Sequence, residues 1–542
     1  MDEGGVDCDV LVVGAGPTGL TLAAQLRAFG ATVRIVDKLL DRAPESRALA
    51  VQPRTLEVLR GLDVATELVA RGNPAAELCI HAGDRVIRTQ LFDIGLEDTA
   101  FPFLLFISQA ETEVVLTGHL AGRGVRVERN VEFVGYRSSG DRLACTLRHP
   151  DGTKEVLNAR YLAGCDGAHS TVRELAGIPF VGASYPQTFL LADLDVAGLQ
   201  PGAINTFLTD HGPLFFFPLD RPAPWRLITM RPEAHRPPND AEPVSTSAPL
   251  EFSELQRLCD RATEGRLRLS RPVWATAFRL HHRHATKYLA GKVALAGDAA
   301  HIHSPAGAQG MNTGIQDAWN LGWKLGLVCR GVAPQSLLHS YEEERRPVGQ
   351  FVVRFTDRVF TPATSTHPVA RFARTQVAPR VIPAALRFRT GRGIAFRTVS
   401  QLGVRYRNSS AIEPTRRPVV RRPRAGDRLP DGTILDHGTS RWLHEVLAGP
   451  RFSLLLCGLA TRWDTSAMHA LSERFGALLS IHRLDRHDSG NVLFDPKGLL
   501  LRRLRVRANA VLVIRPDGHI GCRADDGDVG PAERYLARWL AD

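Results

Sequence analysis

What the chain lacks narrows its identity before any motif does. No apolar run approaches the ~18 consecutive residues that a membrane helix needs. FPFLLFIS and FSLLLCGLA are only strand-sized. The N-terminus, MDEGGVDCDVLVVG, is acidic where a secretory leader would be basic, so no leader is expected. Eight cysteines (Cys8, Cys79, Cys145, Cys165, Cys259, Cys329, Cys457 and Cys522) form no C-x-x-C or other close pair. A disulfide framework and a zinc site are therefore disfavoured, and a reducing cytoplasm is the expected location. Internal repeats and long low-complexity tracts are also absent. One basic segment, PTRRPVVRRPRAGDR (414–428), holds much of the excess in a formal net charge of +11. It has no interleaved aromatic residues, so it reads as an exposed arginine-rich linker rather than a nucleic-acid contact. A basic protein also suits an anionic cofactor and substrate.

What remains is a large globular chain. Its 542 residues exceed what one core supports, and 44% hydrophobic with 23% charged residues is ordinary for a folded protein. The opening forty residues give the clearest pattern. CDVLVV is a buried-strand run, GAGPTG a turn, LTLAAQLRAFG a helix, and ATVRIVD a second strand. This unit predicts a right-handed parallel βαβ. Residues 111–124 are helical again, and a strand meander follows with Gly-Asp and Asp-Gly turn signals. Residues 180–284 are mostly strand-like, KVALAGD is an apolar strand, and GIQDAWNLGWKLGLVCRG is a helix. Beyond about residue 400 the composition shifts through the Arg/Pro stretch into alternating strands and helices.

Three motifs carry chemistry. In the first, Gly14 permits a tight turn, Gly16 lets backbone approach a pyrophosphate, and Gly19 allows close helix–strand packing. Asp37 follows Gly19 by 18 residues, at the end of the second strand, placed to accept from a ribose hydroxyl. The glycines have the right strand before them and helix after them, which points to a bound dinucleotide. The second motif, YLAGCDGAHSTVREL, runs from a strand through Asp166 and Gly167 into a helix. In the third, LAGDAAHIHSPAGAQGMNTG, Asp298 ends a buried strand and can bind a sugar alcohol. Gly307 and Gly310 allow close backbone approach, and Met311 and Asn312 start a helix whose free N–H groups favour negative charge. His301 and His303, with His281, His282 and His284 upstream, raise the question of a metal. No nearby carboxylate completes a ligand set, so no metal is expected and packing or hydrogen bonding is the better role.

These motifs, together with ESRALAVQPRTLEVL, resemble those of the FAD-dependent aromatic hydroxylases, the group A flavoprotein monooxygenases. The nearest likeness is to bacterial polyketide and phenol hydroxylases with a C-terminal thioredoxin-like domain, which AGDRLPDG and VLVIRPDGHIGCR resemble. The resemblance implies an α/β fold. A discontinuous Rossmann-type FAD-binding domain would span 1–75, 100–179 and 285–400. An α+β substrate domain of mainly antiparallel sheet would span 76–99 and 180–284, followed by a linker at 401–424 and the thioredoxin-like domain at 425–542.

It further implies that Ala15, Pro17, Lys38, Arg47, Gln109, Val131, Asp166 and Gly297 join the residues above in holding FAD. Pro305 and the 307–312 backbone would border its ring. Arg47 and Pro305 are the candidates closest to the chemistry, and Arg47 with the 40–50 loop is the candidate gate. NADPH or NADH would reduce the flavin, and O2 would then give a C4a-hydroperoxide that hydroxylates a phenolic ring. A second Gly-x-Gly-x-x-Gly for the nicotinamide is absent, which fits transient binding. Baeyer–Villiger or epoxidising chemistry, and a flavin oxidase on the same fold, are the alternatives. Phe207, Phe215, Phe217 and Trp225 are the expected substrate wall. Cys457 and Cys522 are far apart and no redox C-x-x-C exists, so the C-terminal domain is assigned a structural or subunit-contact role, as in a homodimer.

Overall fold

The computed structural model describes residues 5–41, 48–75, 77–82, 85–90, 96–200, 202–209, 212–231, 248–304, 308–365, 367–377, 381, 393, 396–414, 423–459, 463–488 and 492–540. Its first sheet is built around the strand Cys8–Val13. That strand pairs in parallel with Val33–Asp37 on one side and Lys154–Gly164 on the other. The parallel ladder extends to Val127–Arg129 and to Val293–Leu295. A parallel sheet is covered on both faces, so its central strand is apolar at successive positions rather than alternately. Val10, Leu11 and Val12 are all fully buried. An antiparallel pair, Glu132–Ser139 and Arg142–Arg148, is joined by the predicted Gly-Asp turn, with Gly140 at φ +61°, and its second strand pairs with Lys154–Gly164.

Two helices cover the site side of this sheet. Pro17–Ala28 follows the first strand, and Gly310–Cys329 lies against it. The contact is close because the second helix presents glycine there. A Cβ at Gly322 would stand 2.5 Å from that of Gln25, and one at Gly326 would stand 2.5 Å from that of Phe29.

The second sheet is mainly antiparallel, as expected. Its spine is the long pair Phe180–Ala197 and Arg268–Ala285, continued by Trp225–Met230, Gly212–Pro218 and Ala203–Thr209. Glu77–Ala82 joins this edge in parallel. Strand alternation sends successive residues to opposite faces. One face, with Leu190, Leu214, Phe216 and Leu227, packs on Leu255 and Cys259 of the helix Phe252–Thr263. The other, with Phe189, Leu191, Ile228, Phe278 and Leu280, turns toward Leu49 and Phe106.

The third sheet lies in the C-terminal part. Phe452–Cys457 is flanked in parallel by Leu479–Asp485 and antiparallel by Ala510–Ile514, with Ile520–Ala524 beyond. This sheet does not stand apart. Phe452 meets Trp323 edge-on at 5.7 Å, and Arg515 reaches both oxygens of Glu344 at 2.6 and 2.7 Å. Residues 415–422 of the basic stretch lie outside the described residues, and its last arginine departs from expectation. Arg428 is buried, not exposed, because it donates to Glu57 and Asp98. Tyr406, Ala411 and Ile412, just ahead of it, are buried too. All eight cysteines are free, and burial pushes the thiols of Cys457 and Cys522 up to about 12. Among the described residues no helix is long and apolar enough to cross a membrane.

Candidate active site

The C-terminal ends of four parallel strands converge, as open α/β sheets require of a ligand site. The first leads into Gly14, whose φ is +101° and whose absent Cβ would strike the carbonyl oxygen of Cys165 at 2.3 Å. The motif glycines differ in purpose. A Cβ at Gly19 would strike Gly14 O at 1.9 Å, whereas one at Gly16 would meet no atom within 4 Å. Gly14 and Gly19 are thus needed by the fold, and Gly16 faces open space. Asp37 ends the second strand and fixes this turn, accepting from the N–H of Ala15 at 2.7 Å and of Leu39 at 2.8 Å. Lys38 is exposed beside it, and buried Val131 donates its N–H to the Asp37 carbonyl at 3.0 Å.

The Asp-Gly and Gly-Asp motifs come from the remaining strands, Lys154–Gly164 and Val293–Leu295. Asp166 accepts from the Ser170 hydroxyl at 2.5 Å and the Val172 N–H at 3.1 Å, so it caps the short helix Thr171–Leu175. Burial raises its carboxyl above the usual range. Buried Arg173 donates to the carbonyls of Ala168 and Ala299, tying the two loops together. Gly297 has φ +63°, and Asp298 follows at the mouth of a cavity of about 290 Å³.

Beneath this loop lies a buried trio. His301 Nε2 is 2.6 Å from Asp317 Oδ2, and Arg345 Nε donates to Asp317 Oδ1 at 2.7 Å. The Gly297 N–H also donates to Asp317, at 3.2 Å. Burial alone would raise the Asp317 carboxyl, but Arg345 and His301 outweigh it and hold it below the usual range. Among the described residues no three His, Cys, Asp or Glu side chains group as a metal would require. His301 bonds a carboxylate that is itself held by an arginine.

Gly16, Pro17, Gln109, Asp298, Gly310 and Met311 line the cavity. Gln109 opens the helix Gln109–Ala121 and donates to Glu113 at 2.9 Å. Asn312 has a different task. Fully buried, it donates to the carbonyls of Ala50 and Ala308 and accepts from the Gln52 N–H, bracing the helix start against residues 50–52. The opposite wall is apolar: Leu49, Leu191, Ile228, Phe278 and Leu280. Phe215 and Phe217 share that face of the sheet, and Phe217 stacks on Phe106 at 5.7 Å. Phe207 and Trp225 belong to the other face, among the residues against the helix Phe252–Thr263, so they do not form the wall expected of them. The alternation of the strand decides this, since Phe207 has the parity of Leu214 and Phe216. Arg47, Pro305 and Gly307 lie outside the described residues.

The FAD binding domain family matches residues 7–356 of this geometry. The chain belongs to that family. It is 35% identical to the 6-methylpretetramide 4-monooxygenase of Streptomyces rimosus over 527 residues, covering 95% of this chain and 90% of the relative. It is 32% identical to an uncharacterized aromatic compound monooxygenase, YhjG, of Bacillus subtilis, covering 98% of each. Among solved structures, the anhydrotetracycline hydroxylase OxyS of Streptomyces rimosus superposes with a TM-score of 0.76 at 26% identity, covering 99% of both chains. This member of the FAD-binding family is thus an FAD-dependent monooxygenase.

The site fits that cofactor. Two helices that open at the cavity, Pro17–Ala28 and Gly310–Cys329, start without a capping side chain. Uncapped first-turn N–H groups and the positive dipole end suit phosphate and an anionic ring. The space at Gly16 leaves room for a pyrophosphate. Sequence reasoning missed Asp317, Arg345, the tie that Arg173 makes between two loops and the bracing role of Asn312, because each bonds residues of other elements.

Proposed function

We propose that the enzyme inserts one atom of O2 into an electron-rich ring, a polycyclic phenol, with NADPH or NADH as reductant. The observation that carries this reading is the two-sided cavity. Cofactor loops form one side and an apolar sheet face forms the other, so a flat ring can lie beside the flavin site. FAD, when bound, supplies electrons and activates O2.

The chain's own residues position and shield. Gly16, with the start of the helix Pro17–Ala28, admits the pyrophosphate, while Asp298 and the start of the helix Gly310–Cys329 border the rest of the cofactor. Leu191, Ile228, Phe278 and Leu280 exclude water, as a reactive oxygen species requires. Arg47 is the proposed gate, and Pro305 and Gly307 are proposed contacts of the flavin ring. Similarity to relatives named for 6-methylpretetramide and anhydrotetracycline supports a polycyclic substrate. A single Gly-x-Gly-x-x-Gly supports a nicotinamide that binds only transiently. Free, buried thiols suit a cytoplasmic location.

The test uses the FAD-reconstituted protein with NADPH, a panel of polycyclic phenols and 18O2. One labelled oxygen per product and flavin bleaching that a phenol accelerates are expected. Substrate oxidation without label would replace this reading with an oxidase.

A further inference from the structure

His303 lines the cavity, whose lining also includes Leu49, Leu280, Ile302 and Ala308. Its Nδ1 lies 2.8 Å from the carbonyl oxygen of Ser304. A carbonyl only accepts, so Nδ1 carries the hydrogen and Nε2 presents a lone pair. That Nε2 is buried and has no partner. A Cβ added at Gly310 would stand 3.8 Å from it, so Nε2 lies close to the start of the helix Gly310–Cys329. A buried acceptor without a donor is unfavourable, and a native site keeps one when a ligand fills it.

Several other polar side chains of the cavity are already engaged. Gln109 donates to Glu113, His281 pairs with the Ser184 hydroxyl at 2.7 Å, and Gln309 bonds Val399 and Gln401. His303 therefore offers an acceptor beside apolar residues, in a cavity that Arg279, His281 and Ser304 also line. It also stays neutral. Burial pushes its imidazolium down to about 4, overriding the opposing contact with Ser304. Such a group accepts a hydrogen bond without taking the proton, so it orients a hydroxyl rather than ionising it.

We infer that His303 orients the substrate by accepting, at Nε2, a hydrogen bond from a phenolic hydroxyl. The inference rests on the aromatic monooxygenase reading and adds a specificity rule to it. A ring with a free hydroxyl beside His303 binds in register, and its O-alkylated form does not.

The experiment titrates the oxidised, FAD-loaded protein with 1-naphthol and with 1-methoxynaphthalene, following the perturbed flavin spectrum. The native protein is expected to bind the naphthol about tenfold more tightly than the ether. His303→Phe should weaken the naphthol about tenfold, leave the ether unchanged and keep FAD. His303→Gln, whose amide carbonyl can still accept, should restore part of the preference. It also serves if the phenylalanine variant does not fold. Equal binding of both probes by the native protein, or a preference that survives in His303→Phe, would overturn the inference alone. Loss of FAD in His303→Phe with the preference intact would assign the hydrogen bond to the flavin and overturn it too. Failure of native, FAD-loaded protein to bind either probe would instead overturn the aromatic reading and this inference with it.

Discussion

Two glycines of one motif make opposite predictions. At Gly14 the backbone is left-handed and the missing Cβ would overlap Cys165, so Gly14→Ala must shift both strand ends. It should lower stability by about 2 kcal/mol or more and lose FAD as a consequence. At Gly16 no protein atom lies within 4 Å of the missing Cβ, so Gly16→Ala should melt like the native protein in the absence of FAD. Its methyl group would instead occupy ligand space, and affinity for FAD should fall at least about tenfold. Differential scanning fluorimetry of the apoproteins, followed by flavin fluorescence titration, separates the two effects. The motif spelling marks both positions as glycine. Only the surrounding atoms reveal that one serves the fold and the other the ligand.

At the scale of the element, the loop 297–304 depends on a residue from the helix beneath it. Asp317 accepts from Gly297, His301 and Arg345 at once, all buried. Asp317→Ala would leave the Arg345 guanidinium buried with only Tyr406 and a carbonyl for partners. We expect a loss of about 3–5 kcal/mol in chemical denaturation, because an uncompensated buried charge is expensive. Asp317→Asn should lose less, since it keeps the shape. The elements themselves were legible in the sequence. The βαβ unit, the Gly-Asp and Asp-Gly turns and the long helix announce themselves through local periodicity and turn residues. Side-chain pairings between separate elements were not. Asp317 looks like any polar helical residue, and the Arg226–Asp193 ion pair, buried inside the second sheet, has no local signal either. The aromatic residues of the second sheet were hard to assign for a related reason. Alternation in INTFLTDHGPLFFFPLD separates two faces but does not label them. The helix Phe252–Thr263 claims the face with Phe207, while Phe215 and Phe217 fall to the cavity side.

For the whole molecule, the informative feature is a charge network that joins the C-terminal sheet to the cofactor-binding part. Glu344 receives Arg515, Lys324, Asn320 and the Ser409 hydroxyl in full burial, and Arg515 also bonds Asp517. Burial alone would raise the Glu344 carboxyl, but Arg515 and Lys324 outweigh it and hold it at about 2. A carboxylate whose folded value lies below its unfolded one stabilises fully above the unfolded value, about 4.5. That contribution fades as pH falls from about 4.5 toward about 2. The urea midpoint should therefore drop across this window, and Glu344→Gln should flatten the drop while lowering stability at pH 7. The Arg/Pro segment misled at this scale. Counting its arginines as solvent-exposed charge overlooks Arg428, which the fold uses as an internal tie to Glu57 and Asp98.

The same network sets an order of events during synthesis. Lys324 and Asn320 emerge from the ribosome nearly two hundred residues before Arg515 and Asp517, which complete their surroundings. Until those late residues arrive, the helix that opens at the flavin site carries Lys324 paired with Glu344 but lacks Arg515 and Asp517, and it has a bare Trp323 where Phe452 will sit. A nascent chain thus holds nearly all of its cofactor loops yet lacks the tail that lets them settle. Chains cut short by premature termination should surface as proteolysis targets rather than as smaller working enzymes.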